Sequence, residues 1–457
     1  MSGSITIRLQ QRQTNLWRTL FRPRWTHESA RSIARSARPV GFFVRRSIAG
    51  VILIAVSLLV TGCRPRQSDE VTLMKVAGGS MAPTWVGRHG EVRCEQCLSS
   101  LRIVTAMMPP KGQAYVCPFC GGEVTSPGVA DRSGDVVAVH HPRGNDHRWQ
   151  RGDLVAVRRN GIPRLKRLVA LPGDVLALDG LRLTVNGRAA GDHFDAPLIV
   201  VNQDWLSDSE AEGPSSEGRP FSWWQPSDAQ GRPNRGWARQ DSAWTAARSR
   251  DDAMPSWLVY RHRNVFHSLR EDTIRDNYPG NVSLVRPLYE VDRLVLTANV
   301  QAGPDASVAT GPLGEGGIEV YFWTPDGIVM HRRPLPRDMS AMRFYSRDAV
   351  LVPADRNATI PVTQKRPVAI TAPPGTVVAG LLLERPVEYR LRRTDATESF
   401  PLRLGEDQFF VLGDNVPVSV DSRKWGPIRR DDLIGWVPAT AEPIAAGRLP
   451  AQPINRE

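Results

Sequence analysis

The sequence predicts a mainly β protein. Short apolar runs follow one another closely from residue 71 onward, Gly-Asp and Asn-Gly turn signals separate them, and helical periodicity is almost absent there. In order, residues 71–86 read as a strand entering a turn that displays Ser80, and residues 91–123 as a compact cysteine-bearing module. Ser133-Gly134-Asp135 and Arg151-Gly152-Asp153 are Gly-Asp turns, each feeding a short apolar strand. Arg164 to Ala170 continues as a strand, and Pro172-Gly173-Asp174 turns into Val175 to Leu178. Leu181 to Val185 then meets Asn186-Gly187, a strong hairpin signal.

From about residue 195 the texture changes. Residues 204–256 are rich in Gly, Pro, Ser, Asp and Arg, and tryptophans recur through them to Trp257. These indoles read as clips holding an irregular insertion onto a scaffold, with a membrane-interface or substrate-contact role as the alternative. Strand-like runs return at Arg293 to Val300, Ile318 to Trp323 and through 349–404, with no readable topology. The last strong phrases are Phe409 to Asn415 and Ser419 to Gly426.

A chain of 457 residues is long enough for two or three domains. Its formal net charge of +12 does not indicate a nucleic-acid partner. Residues 1–46 hold ten arginines against one acid, Glu28, and the rest is nearly balanced, with no basic stripe interleaved with aromatics. Ser47 to Gly62 carries no charge. At sixteen residues it is slightly shorter than the roughly 20 of a full span, although Arg45 and Arg46 can snorkel toward headgroups. It reads as a transmembrane helix with a cytoplasmic N-terminus, or else as a signal segment ending in the lipoprotein-like Leu59-Val60-Thr61-Gly62-Cys63, lipidated at Cys63. A buried soluble helix is the third reading. Both membrane readings put the chain beyond Cys63 outside the cytoplasm.

Only five of the 59 basic residues are lysines, and one, Lys166, lies in an apolar, arginine-flanked run ending in Leu-Pro-Gly-Asp. Arginine stays protonated in proteins, whereas a buried lysine can be neutral near pH 7. Leu165, Leu168, Val169 and Leu171 can supply that burial on alternate strand positions. With Gly79-Ser80-Met81-Ala82-Pro83-Thr84 upstream, a serine nucleophile and a lysine base are the candidate pair. No His-Asp relay is evident, and His140-His141 read as surface or turn residues.

Together, Ser80 to Thr84, Arg151 to Val157, Lys166 to Asp174 and Gly413 to Gly426, preceded by an apolar anchor, resemble type I signal peptidase, a membrane-bound Ser/Lys-dyad protease. The resemblance implies a signal-peptidase-like β-sheet core after an N-terminal transmembrane helix. It implies Ser80 as nucleophile, whose own N–H would be one oxyanion donor, and Lys166 as general base. Ser419 would orient the lysine amine, Asp421 and Arg423 would form a supporting ion pair, and Asp414 would be a further supporting carboxylate. Met81 and Pro83 would shape the serine turn. No catalytic cofactor is implied. The implied partners are exported pre-proteins carrying signal peptides, and membrane lipid. The chain departs from the family at Gly78, where many members have a hydroxyl residue, at Ala170 and at Val416.

Cys94-Glu95-Gln96-Cys97 and Cys117-Pro118-Phe119-Cys120 form a zinc-ribbon pattern, four thiolates closing a structural site. Two disulfides or a redox pair are the alternatives in an oxidising compartment. The expected organisation is a cytoplasmic tail (1–46), a membrane anchor (47–63), catalytic core (64–90), a zinc-ribbon-like insertion (91–130), core again (131–194), an irregular and β-rich insertion (195–404), core (405–445) and a C-terminal tail (446–457). The expected location is the inner membrane, single-pass, or alternatively a lipid anchor at Cys63.

Overall fold

The computed structural model describes residues 70–438 apart from 98, 126–130, 143–146, 205–222, 241, 248–255, 268, 283–286 and 304–316. The expected tails, the anchor at 47–63 and Cys63 lie outside the described residues. Among those described, no helix is long and apolar enough to cross a membrane. They form a mainly β structure, with one short α-helix, Ser422–Trp425, and a few 3₁₀ turns.

The four phrases singled out in the sequence lie in, or follow, strands of one seven-stranded sheet. Its order is Val71–Lys75, Val136–His140, Leu433–Val437, Leu154–Arg159, Ile162–Ala170, Gln408–Leu412 and Ile428–Arg429. Neighbouring strands all pair antiparallel. The two Gly-Asp phrases feed strands, as expected, but Leu433–Val437 separates them. Val155 stands opposite Lys166, and Leu412 opposite Arg167.

The lysine strand departs from the expected alternation of burial: every residue from Leu165 to Ala170 is buried. The strand is interior to the sheet, and separate apolar cores press on it. Leu165 joins Met81, Trp85 and Val137, and Leu168 joins Val155 and Phe409. Val169 and Ala170 join Leu176 and Phe410. That last core also takes in Val387, Tyr389, Leu391 and Leu404, so the packing returns to the catalytic side well before residue 404.

The region with no legible topology is built around two six-stranded sheets. One contains Trp237–Gln240, Ala243–Ala246, Val377–Pro386, Val295–Gln301 and Ser340–Tyr345, with Leu198–Asp204 also on Val377–Pro386. The other runs Trp224–Ser227, Trp257–Tyr260, Val368–Thr371, Gly317–Thr324, Gly327–Pro334 and Val350–Leu351. Their side chains share one core, to which Phe344 and Leu383 of the first and Leu258 and Phe322 of the second belong. Period-two alternation then places Trp257 and Val259 in another core, on the second sheet's opposite face. Trp224, Trp237, Trp244 and Trp257 are at most 5 % exposed, so these indoles are core residues of the insertion rather than surface anchors. Trp205 lies outside the described residues.

Candidate active site

Ser80 follows an edge strand, at the start of a tight turn in which the Trp85 N–H donates to the Met81 carbonyl (2.9 Å). Met81 and Trp85 are buried against Val137, Leu154 and Leu165, which fastens the turn to the sheet. Ser80 itself is half-buried. The Pro83 carbonyl accepts from Arg102 (3.3 Å), and the Thr84 hydroxyl donates to Asp414 (2.6 Å). At Gly78 an added Cβ would meet nothing within 4 Å, so the departure there reflects no lack of room.

Lys166 Nζ lies 2.8 Å from Ser80 Oγ and donates to it when charged; the same contact serves in reverse once the amine is neutral. The lysine is 2 % exposed. Desolvation lowers its pKa to about 8 from an ordinary 10.5. Asp421 and Asp414 push back upward, and Arg164 and Arg423 assist the lowering. A buried amine beside an accessible hydroxyl can take that hydroxyl's proton.

The loop after Gln408–Leu412 closes over the pair. Asp421 and Arg423 make a two-pronged ion pair (both 2.8 Å) with both side chains out of solvent. Burial drives the Asp421 carboxyl up, but Arg423 and the Gly413 N–H (3.0 Å) outweigh it and hold the pKa below the usual range. Gly413 has no alternative residue: a Cβ there would lie 2.2 Å from Ser419 Oγ and 2.4 Å from the Ser80 carbonyl oxygen. Ser419 therefore sits beside the dyad, yet its buried hydroxyl makes no hydrogen bond among the described residues. The expected bond to the lysine amine is not formed, and the Lys166 amine bonds Ser80 instead.

Asp414 accepts two bonds from Arg167 (2.8 and 2.7 Å) and one from the Tyr389 hydroxyl (2.9 Å). Arg151 and Asp174 form a third two-pronged pair (3.0 and 2.5 Å), tying the Arg-Gly-Asp phrase to the Leu-Pro-Gly-Asp phrase. Residue patterns single out Asp414 but not Arg167 or Tyr389. An arginine directly after the candidate base, where residues 165–170 are otherwise apolar, is the signal that could have found the first of them. His141 bonds the Ile434 carbonyl (3.1 Å) and Thr72 (2.8 Å), a structural role.

Cys94, Cys97, Cys117 and Cys120 converge, with ligand atoms all within 4.8 Å of one another. The 94–120 and 97–117 sulfur pairs are 3.6 and 3.7 Å apart. Disulfide sulfurs would be about 2.05 Å apart, and all four cysteines are free. A tetrahedral metal with bonds of ~2.3 Å sets its sulfurs ~3.8 Å apart, so the set fits a structural metal. Hydrogen bonds with Cys117 and Cys120 draw the Cys97 thiol below its ordinary pKa.

A family model described as "Signal peptidase, peptidase S26" matches residues 46–212 and 377–441, just over half of the chain. The match resumes at the first residue of Val377–Pro386, so most of the sheet pair lies outside it. No curated protein matches the chain. By that match, the chain belongs to the signal peptidase S26 family.

Proposed function

We propose that this protein is a membrane-anchored serine endopeptidase that removes signal peptides from exported pre-proteins. The observation that carries the reading is the 2.8 Å contact between a half-buried serine hydroxyl and a buried lysine amine. Ser80 Oγ attacks the scissile carbonyl while neutral Lys166 takes its proton. The resulting ammonium gives that proton to the leaving amine, an acyl-enzyme forms at Ser80, and water attacks it by the reverse transfers. The Ser80 N–H serves the developing oxyanion. Asp421 and Arg423 hold the Gly413 loop against the dyad, Asp414 fastens Thr84, and Ser419 fills the wall behind Ser80. Met81 and Pro83 keep the turn in place.

The anchor belongs to residues 47–63, with the arginine-rich tail in the cytoplasm and the catalytic sheet outside. Ser80 then begins only 17 residues past Cys63, at most about 55 Å of extended chain, which suits substrates inserted in the same bilayer. Full-length protein in detergent should cleave a pre-protein at its signal-peptide junction, and Ser80→Ala should leave it intact. Cleavage by Ser80→Ala would end this assignment.

The four cysteines hold one zinc ion, which braces the module and takes no part in hydrolysis. Elemental analysis of the purified protein should give one zinc per chain. Cys94→Ser with Cys97→Ser should lose the metal and lower the melting temperature, because metal-binding energy is folding energy at such sites. Thiols that resist a thiol reagent in denaturant until reduced would instead show disulfides.

A further inference from the structure

The part of the sheet-pair insertion that lies outside the family match reaches the serine turn through a chain of buried amides. The Asn415 N–H donates to the Ser80 carbonyl (3.0 Å), and Asn415 Nδ2 donates to the Gly79 carbonyl (2.9 Å). Asn415 thus holds the two peptide units on either side of the nucleophile's Cα. Its amide is in turn matched by Asn281. Asn281 Nδ2 donates to Asn415 Oδ1 (2.9 Å), and Asn415 Nδ2 donates to Asn281 Oδ1 (3.0 Å). Both residues are at most 2 % exposed.

Two facing amides in this arrangement fix each other's orientation. Were the Asn415 amide turned over, its oxygen would face both the Gly79 carbonyl and Asn281 Oδ1, setting acceptor against acceptor in a buried place. Asn281 is held in its turn. Its Nδ2 also donates to Asn277 Oδ1 (3.1 Å), and the Asn277 carbonyl accepts from Arg385 (2.7 Å). Gly280 lets this segment cross the cysteine module's strand Ser100–Val104 closely: a Cβ there would lie 2.4 Å from the Arg102 carbonyl oxygen.

We propose that Asn281 is a positioning residue for the peptidase reaction, acting through Asn415 to set the carbonyls that flank Ser80. The insertion thereby supplies part of the active-site scaffold. This rests on the reading of Ser80 as nucleophile. Asn281 acts on the dyad only through Asn415, so its effect falls on the chemical step rather than on substrate binding.

The test uses full-length protein and a pre-protein substrate, comparing Asn281→Ala and Asn281→Asp with Phe344→Leu and Ser80→Ala. Asn281→Asp keeps the volume and the acceptor but loses the donor to Asn415 Oδ1. Both Asn281 variants should lower kcat roughly 10- to 100-fold, the effect of displacing a reacting group by about 1 Å, with KM within about twofold. Phe344→Leu loosens the insertion's own core and should lower the melting temperature while leaving kcat as in wild type. Wild-type kcat in a folded Asn281 variant, or an equal kcat loss in Phe344→Leu, overturns the proposal. Cleavage by Ser80→Ala would instead sink the nucleophile assignment on which it rests. An inactive Ser80→Ala beside a fully active Asn281→Ala sinks the positioning role alone.

Discussion

Lys166→Arg and Lys166→Met should each abolish pre-protein cleavage, with a loss of roughly 10²–10⁴-fold or more, the usual contribution of a positioned base. The two substitutions fail for different reasons. Arginine keeps the charge but cannot be neutral at working pH, and methionine has no basic nitrogen. A folding defect would not account for the methionine variant, because the buried amine itself weighs against stability. The folded lysine releases its proton near pH 8, whereas the unfolded one keeps it to about 10.5. Between those values the unfolded state binds more protons, so stability contributed by this group rises as pH increases from about 8 to about 10.5. At pH 7 the wild type carries the full cost of a buried ammonium. Lys166→Met should therefore melt no lower than wild type at pH 7, read by calorimetry. Wild-type kcat/KM should rise with pH and level off above about 8 as the neutral amine accumulates. Retained activity in Lys166→Arg would remove the lysine from the mechanism.

Asp421→Asn should be among the most destabilising single changes in the chain. It leaves the Arg423 guanidinium in the interior without its counter-charge, at a cost of about 3–5 kcal/mol for breaking a buried pair. The folded Asp421 pKa is depressed, so the stability it contributes is present above the ordinary carboxylate pKa and is lost as pH falls through the depressed value. Acid unfolding of wild type should accordingly include this group, and Asp421→Asn should lack that step. The same change has a signature in catalysis. Asp421 raises the Lys166 pKa, so removing its charge should move the acid limb of the pH–rate profile below about 8. A limb that stays in place would mean that Asp421 does not reach the amine electrostatically.

Much of the core and its site is legible in the sequence because the residues that carry chemistry come in short, local phrases. Gly-Ser-Met-Ala-Pro, Lys166 before Leu-Pro-Gly-Asp, and Gly-Asp-Asn before Ser-Val-Asp-Ser-Arg are each read within one turn or strand. The cysteine pairs are equally local. The features that escape such reading depend on contacts distant in the chain. Arg167 finds Asp414, and Arg151 finds Asp174, only once the antiparallel ladder aligns them. Asn281 lies in Asn-Tyr-Pro-Gly-Asn, a phrase that reads as an ordinary turn, and its partner is 134 residues away. The burial of Leu165 to Ala170 on both faces likewise results from the strand's interior place in the sheet, which periodicity within the strand cannot report. The insertion's two sheets are unreadable for a related reason: their strands are short, interrupted by proline, and paired across long stretches of chain. The bond expected between Ser419 and the lysine rests on resemblance, and the geometry places the hydroxyl beside the dyad without that bond.

The central claim is that Lys166 is uncharged often enough to accept the Ser80 proton. NMR titration of the lysine side chains in Ser80→Ala would measure this directly, with Lys166→Met assigning the signal. The account predicts a Lys166 signal that titrates near pH 8. A Lys166 signal that titrates near the ordinary 10.5 would contradict it.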